Sequence, residues 1–122
     1  LEYFENTPIQ CKVSTPDNIP ARELTGEKRR NIFLSVKETL NNVLKHSGAS
    51  QVTVEIQAEE KLLIRISDNG KGIDMENLRQ FGNGLKNIAR RMESIDGTFS
   101  IVRKDNSGEN DHGTVTTLTL TV

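Results

Sequence analysis

Three polar residues, Glu38, Asn42 and Lys45, follow one another at intervals of four and three in the sequence. Residues at these intervals share one face of a helix. The amide oxygen of Asn42 is a hard, neutral ligand that Mg²⁺ accepts together with waters and phosphate oxygens. On the same face, Glu38 would orient a water or accept a proton, and Lys45 would neutralise phosphate charge. The solvated face of an ordinary surface helix has the same pattern, so these residues alone leave both interpretations open.

A second candidate group is the segment Asp68-Asn69-Gly70-Lys71-Gly72, which follows a predicted strand. A carboxylate at the end of a strand accepts a hydrogen bond from the exocyclic amine of adenine, whereas guanine presents an oxygen at that position and is repelled. The glycines allow the backbone to approach a base and a sugar closely. Asn-Gly is also a common hairpin turn, so the segment by itself is equally typical of a turn.

A third candidate group, Gly82 and Gly84, precedes a predicted helix. Glycines at this position expose backbone N–H groups at the positive end of the helix dipole, where phosphates bind well. The segment is not a dinucleotide-binding fingerprint, because Asn87 stands where the third glycine would be and no strand leads into it. A flexible connection between two elements is the alternative explanation.

Three further residues are weaker candidates. His46 would assist phosphate binding, although a lone histidine at the end of a helix is more often a capping or packing residue. Thr114 and Thr116 lie at the start of the last predicted strand and are candidate contacts to a base. Threonine is also favoured in strands for packing, so both interpretations of these two residues stay open.

The spacing of apolar residues predicts the elements that would position these groups. In residues 25–46 the apolar positions 32, 33, 36, 40, 43 and 44 form one helical stripe about 120° wide. A second helix is predicted over residues 84–95, with Gly97 in the left-handed position after its end. Strands are predicted at residues 9–14, 51–58, 62–67, 98–104 and 114–122, the second and third joined by a hairpin at 59–61. This order indicates an α+β two-layer sandwich, with a mixed or antiparallel sheet of about five strands and helices on one face.

Length and composition limit the class of protein. The 122 residues suffice for one core, and a net charge of -1 with scattered basic residues argues against a nucleic-acid partner. No apolar run approaches the roughly 20 residues that span a bilayer, so a soluble domain is expected. The single cysteine, Cys11, is expected in a strand and fits a reducing compartment. Because the sequence begins at Leu1, we expect it to be part of a longer chain.

In order and spacing, these segments resemble the nucleotide-binding boxes of the GHKL superfamily, which includes gyrase-type topoisomerases, heat-shock chaperones, histidine kinases and mismatch-repair ATPases. Residues 38–47 resemble the N box of histidine kinases, especially the branch that includes nitrate and membrane-fluidity sensors. Asp68-x-Gly70-x-Gly72 resembles the first glycine box, and Gly82-x-Gly84-Leu85 resembles the second. The resemblance spans residues 8–122, and residues 1–7 are predicted to be a linker.

The resemblance implies the role of each box. Asn42 would ligate Mg²⁺, Asp68 would receive the adenine amine of ATP, and the residues around Gly82 and Gly84 would meet the phosphates. Glu38, Asn42 and Lys45 would be the catalytic residues. Residues 74–81 would form a short lid over ATP, which argues against chaperone or topoisomerase relatives. The remaining residues expected at the ATP site are Lys45, His46, Gly70, Gly72, Ile73, Leu85 and Thr114.

The resemblance also implies partners that lie outside these residues. A histidine on a separate dimerisation hairpin would take the γ-phosphoryl group of ATP and pass it to an aspartate of a response regulator receiver domain. Neither His46 nor His112 resembles that acceptor. The domain alone is expected to be a monomer, and its parent is expected to be a homodimer. The domain is expected in the cytoplasm, which for a membrane-anchored parent means the cytoplasmic side of the membrane.

Two alternatives share this fold. One is an anti-sigma-factor serine kinase, which stands alone at this size. The missing initiator methionine and the Lys45-His46-Ser47 ending of the N box favour the sensor kinase. The other is a degenerate domain that binds partners without catalysis. The presence of Glu38, Asn42 and Asp68 argues against it.

Overall fold

The computed structural model describes residues 7–15, 24–74, 76–105 and 112–121. Within them the chain forms five strands and two α-helices, and α1 continues directly into a π-helical turn, Val43–Ser47. A short 3₁₀ helix, Leu78–Phe81, precedes α2. In chain order the principal elements are β1 (Gln10–Ser14), α1 (Gly26–Asn42), β2 (Gln51–Ala58), β3 (Lys61–Asp68), α2 (Gly84–Glu93), β4 (Gly97–Asp105) and β5 (His112–Thr121).

The five strands form one mixed sheet in the order β1-β2-β3-β5-β4. β1 runs parallel to β2, and every other pair of neighbours is antiparallel. Alternate residues of the three middle strands, among them Val54, Ile66 and Leu118, are buried in a single core with residues of both helices. The predicted α+β sandwich is therefore confirmed, and so is the hairpin between β2 and β3, in which Ala58 pairs with Leu62.

The apolar stripe of α1 coincides only in part with its buried face. Phe33 and Leu44 are 64% and 38% exposed, whereas Ser35, Thr39 and Asn42 are buried. α1 contacts α2, and its Ile32 and Leu40 belong to the same buried core as the strand residues. The buried face is therefore rotated from the apolar stripe toward the polar residues beside it.

The end of α2 also differs from the prediction. Asp96, with φ 58°, takes the left-handed conformation expected for Gly97. Gly97 is instead the first residue of β4, where a Cβ atom would lie 2.8 Å from the carbonyl oxygen of Thr119 and 2.8 Å from Cε of Met92. Glycine at this position thus allows β4 to approach both β5 and α2.

Both ends of the chain extend beyond the described residues. The predicted linker, residues 1–7, lies outside the described residues apart from Thr7, and so does the last residue of the predicted final strand, Val122. The separation of that linker from the domain therefore stays a prediction. Among the helices of the described segments, none has the length and apolar character needed to cross a membrane.

Packing at Gly97 gives a matched pair of substitutions. Gly97→Ala should lower the free energy of unfolding by about 1–3 kcal/mol, because the added methyl group overlaps a backbone oxygen of the neighbouring strand. Gly26→Ala should be neutral or raise it by roughly 0.5–1 kcal/mol, since nothing lies within 4 Å of a Cβ at Gly26 and alanine favours helix. Urea denaturation of both variants measures the difference. An equal effect at the two positions would contradict the close approach at Gly97.

Candidate functional site

The three sequence motifs meet at one cleft. It lies between the end of α1, the loop after β3, the residues before and within α2, and the strands β4 and β5. The residues that line the cleft are Thr39, Asn42, Val43, His46, Ser47, Asp68, Gly72, Ile73, Phe81, Leu85, Ile88, Phe99, Ile101, Thr114 and Thr116.

Most of the predicted site residues belong to this lining. Seven of them are Asn42, His46, Asp68, Gly72, Ile73, Leu85 and Thr114. Five others, Glu38, Lys45, Gly70, Gly82 and Gly84, do not line the cleft. Lys45 and Gly82 are exposed, Gly70 lies behind the cleft against Ser47, and Gly84 lies against Glu38. The predicted set is thus brought to one end of the sheet, but not all of it faces one cavity.

Asp68 forms the buried polar end of the cleft. It is the last residue of β3 and only 4% exposed. Its Oδ1 accepts a 2.8 Å hydrogen bond from the backbone N–H of Gly70. Burial raises the pKa of the Asp68 carboxyl, while hydrogen bonds from the backbone amides of Gly70 and Thr114, and the positive charge of Lys104, act in the opposite direction. A carboxylate in these surroundings keeps acceptor capacity for a donor inside the cleft.

The loop after Asp68 is fastened to β5. The hydroxyl oxygen of Thr114 accepts a 2.8 Å hydrogen bond from the backbone N–H of Ile73. Gly113 lies directly against the backbone carbonyl of Asp68, where no side chain would fit. The sequence analysis did not identify Gly113 as a site residue, because its partner Asp68 is 45 positions away in the chain.

Glu38 and Asn42 lie together over the first residue of α2. A Cβ atom added to Gly84 would be 2.5 Å from Oε1 of Glu38 and 3.6 Å from Oδ1 of Asn42. The first amides of a helix have no partner within the helix and carry partial positive charge. The side-chain oxygens of Glu38 and Asn42 and the N-terminus of α2 therefore converge beside the part of the cleft that Asn42 lines.

The types of side chain beside Gly84 determine which metal ion this part of the site would hold. Among the described residues, no group of three or more His, Cys, Asp or Glu side chains is arranged to hold a metal ion. Mg²⁺ needs no such group, because it commonly binds through one or two protein oxygens and keeps waters and substrate phosphates as its other ligands. The oxygens of Asn42 and Glu38 fit this mode of binding.

The mouth of the cleft is aromatic and positively charged. The rings of His46 and Phe81 meet edge to face with their centroids 4.7 Å apart. The pKa of His46 is lowered, first by burial and then by the positive charges of Lys45 and Lys71. Phe81 belongs to the predicted lid, so the lid reaches the end of α1. Such a concentration of positive charge favours an anionic ligand.

The sequence analysis missed several apolar residues of the lining. Phe99 and Ile101 are two apart on β4, and Ile88 lies on α2. Their alternation along a strand and their helical spacing indicate a buried face. Neither pattern indicates that the face borders a cleft, because that depends on how α2 lies across β4.

Comparison with known proteins shows the family to which this chain belongs. The family model described as "Histidine kinase-, DNA gyrase B-, and HSP90-like ATPase" matches residues 27–122. The chain belongs to this family, and membership of an ATPase family implies that the domain binds ATP. Because the match includes α1, the loop after β3 and α2, all three motifs lie inside the family's region.

Similar proteins include sensor proteins of known sequence. The "Sensor protein VraS" of Staphylococcus epidermidis is 40% identical over 79 residues, covering 64% of this chain and 23% of that protein. The protein of the same name from Staphylococcus aureus is 39% identical over 79 residues, with the same coverage. The chain thus spans about a quarter of the length of the curated relatives that it matches.

Solved structures share the fold at low sequence identity. A histidine kinase domain of the Erythrobacter litoralis EL346 blue-light activated histidine kinase gives a TM-score of 0.75 at 20% identity, covering 98% of this chain and 54% of that one. Acinetobacter baumannii histidine kinase AdeS gives 0.72 at 16% identity, covering 98% and 57%. The mycobacterial sensor histidine kinase MprB gives 0.70 at 17% identity, covering 96% and 84%.

The raised pKa of Asp68 predicts how stability depends on pH. Because the pKa in the folded state lies above the ordinary value of 3.8, the folded protein holds this proton more tightly than the unfolded chain does. The contribution of Asp68 to the free energy of unfolding therefore falls as pH rises from 3.8 through the raised pKa. Asp68→Asn removes this titration. As pH rises, the free energy of unfolding of the wild type should therefore fall relative to that of the variant. Urea denaturation at several pH values measures both free energies, and a rise of the wild-type value relative to the variant would contradict the prediction.

Proposed function

We propose that this chain is the Mg²⁺-ATP-binding catalytic domain of a sensor histidine kinase. The observation that supports this most strongly is the convergence of Asp68 and Asn42 on one cleft, with Gly84 at the start of a helix beside Asn42. A buried acceptor at one end and oxygen ligands beside free amides at the other end suit the two ends of a purine nucleotide. The similarity to sensor proteins adds the class of reaction.

The adenine end of the proposed site is the carboxylate of Asp68. Its side chain would accept a hydrogen bond from the exocyclic amine of adenine, which a guanine oxygen cannot donate. Gly72, Ile73 and Thr114 would border the base, since all three line the same part of the cleft. A site built around a buried acceptor discriminates strongly against a ligand that leaves it unpaired.

The phosphate end would be formed by Asn42, Glu38 and the first amides of α2. Asn42 would ligate Mg²⁺ directly, and Glu38 would orient a water in the coordination shell or accept a proton. Mg²⁺, when bound, would neutralise the charge that develops on the transferred phosphoryl group. Lys45 would add positive charge from the turn after α1, His46 would help to bind the phosphates, and Gly82 and Gly84 would let backbone amides approach them.

The acceptor and the partners are proposals that rest on the family and its relatives. The γ-phosphoryl group would go to a histidine on the dimerisation helices of a homodimeric parent, and then to a response regulator receiver domain. We place the kinase in the branch of nitrate and membrane-fluidity sensors from its N box, with this domain in the cytoplasm. Neither the anti-sigma-factor kinase nor the degenerate domain is favoured, because the relatives are sensor proteins and Glu38, Asn42 and Asp68 are all present.

Selection of adenine tests the binding part of the proposal. At a free concentration of Mg²⁺-ADP a hundredfold above Kd, the free energy of unfolding should rise by about 2.7 kcal/mol. Mg²⁺-GDP at the same concentration should leave it unchanged, and Asp68→Asn should remove the effect of ADP. Thermal denaturation with each nucleotide measures these shifts.

The matched control for Asp68→Asn is Asp96→Asn. Asp96 is an exposed carboxylate after α2 that lies outside the cleft lining, and asparagine tolerates its left-handed conformation. This variant should respond to ADP as the wild type does. Equal stabilisation of the wild-type chain by ADP and GDP would refute the role of Asp68.

Phosphoryl transfer tests the catalytic part of the proposal. In the parent protein, Asn42→Ala should lower the rate of autophosphorylation by about a hundredfold, because the direct ligand of Mg²⁺ is lost. Asn31→Ala is the matched control on the same helix, since Asn31 lies outside the cleft lining and its Nδ2 donates a 3.4 Å hydrogen bond to Ser94. Incorporation of radiolabelled phosphate measures both. Acid-labile phosphate on His46 or His112 would contradict an acceptor elsewhere in the parent.

A further inference from the structure

Asn69 is an exposed residue of the glycine loop, residues 69–72, which follows β3. Its side chain nevertheless forms hydrogen bonds through both Oδ1 and Nδ2. Its Oδ1 accepts hydrogen bonds of 2.9 Å from the backbone N–H groups of Ser50 and Gln51. Its Nδ2 donates a 2.9 Å hydrogen bond to the hydroxyl oxygen of Ser50. One side chain thus uses both its acceptor and its donor on two consecutive residues at the start of β2.

The backbone of the loop joins the same segment. The N–H of Asn69 donates to the carbonyl of Gln51 at 3.2 Å, and the N–H of Lys71 donates to the carbonyl of Ser47 at 2.9 Å. Gly70 lies so close to the carbonyl of Ser47 that a side chain there would collide with it. Asn69 and Lys71 are therefore hydrogen-bonded to Gln51 and Ser47, and Gly70 packs against Ser47 between them.

The connection also reaches into the end of α1. The hydroxyl of Ser47 donates a 2.6 Å hydrogen bond to the carbonyl of Val43 and accepts a 3.0 Å bond from the N–H of Ala49. Val43 follows Asn42 directly, and His46 precedes Ser47. Both Asn42 and His46 line the cleft. The segment that follows Asp68 is therefore hydrogen-bonded to the turn that carries His46 and directly follows Asn42.

We infer that Asn69 is a positioning residue for the nucleotide, which holds Asp68 at a fixed distance from Asn42 and His46 without contacting the ligand. The inference rests on the proposed function, because it assigns Asp68 and Asn42 to the two ends of ATP. Its physical reason is preorganisation: a ligand that contacts both ends binds more tightly when their separation is set beforehand. A residue that only stabilised the turn would lower the stability of the free protein and leave the affinity of the folded protein unchanged.

The test compares three variants of the 122-residue chain by calorimetric titration with Mg²⁺-ADP. Asn69→Ala removes all three side-chain hydrogen bonds and should weaken ADP binding by about tenfold, as loss of a supporting hydrogen-bond network does elsewhere. Asn69→Asp keeps both acceptor contacts and should restore affinity to within about threefold of wild type. Ser50→Ala removes only the bond to Nδ2 and should cost about twofold or less.

The outcomes separate this inference from the proposed function. Failure of the wild-type chain to bind Mg²⁺-ADP would refute the proposed function. Wild-type binding together with unchanged affinity of Asn69→Ala would overturn the positioning role, even if that variant melts at a lower temperature. Equal losses in Asn69→Ala and Asn69→Asp would also overturn it, because the acceptor contacts would then be irrelevant.

A second measurement needs no variant. If the loop and the start of β2 are coupled to the nucleotide, Mg²⁺-ADP should slow hydrogen exchange at the amides of Ser50 and Gln51, which lie outside the cleft lining. Hydrogen exchange followed by NMR resolves these two amides individually. The same exchange rate with and without ADP would overturn the inference, whatever the stability of the Asn69 variants.

Discussion

The buried carboxylate of Asp68, at the end of the middle strand of the sheet, is the constraint on which the surrounding structure depends. Removing a carboxylate from water is costly unless hydrogen bonds replace its hydration. The amides of Gly70 and Thr114 and the charge of Lys104 offset this cost only in part, since the pKa of Asp68 remains raised. A ligand that donates a hydrogen bond would satisfy the remaining acceptor capacity. The sharp turn at Gly70 and the absence of a side chain at Gly113 are both conditions for this arrangement.

α1 serves the core and the cleft with one face, and its composition reflects both tasks. Ser35, Thr39 and Asn42 are buried there, and the Ser35 hydroxyl has no hydrogen-bond partner among the described residues. An apolar face would pack without this cost. The π-helical turn that follows brings His46 to the cleft, which agrees with the frequent occurrence of such turns at functional sites.

The comparisons separate what the fold requires from what the site requires. Solved kinase structures reproduce this architecture at 15–20% identity, so the sheet and its helices tolerate most substitutions that keep the apolar pattern. The site depends on a few positions carried by that framework, and a shared fold alone does not establish a shared reaction. The chain spans 23% of the length of the sensor proteins that it matches.

The sequence by itself determined the order and type of the elements, because period and caps are local properties. The predicted β2, residues 51–58, matches the observed strand, and Thr25 caps α1 through the N–H of Lys28. Residue type and spacing also indicated the motifs around Asn42, Asp68 and Gly84. Only the tertiary structure decided that Phe33 is exposed, that Phe99 borders the cleft, and that Asn69 joins the glycine loop to β2. Each of these depends on residues that are distant in the chain. A local pattern predicts the direction in which a side chain points, but it does not predict which residues pack against that side chain.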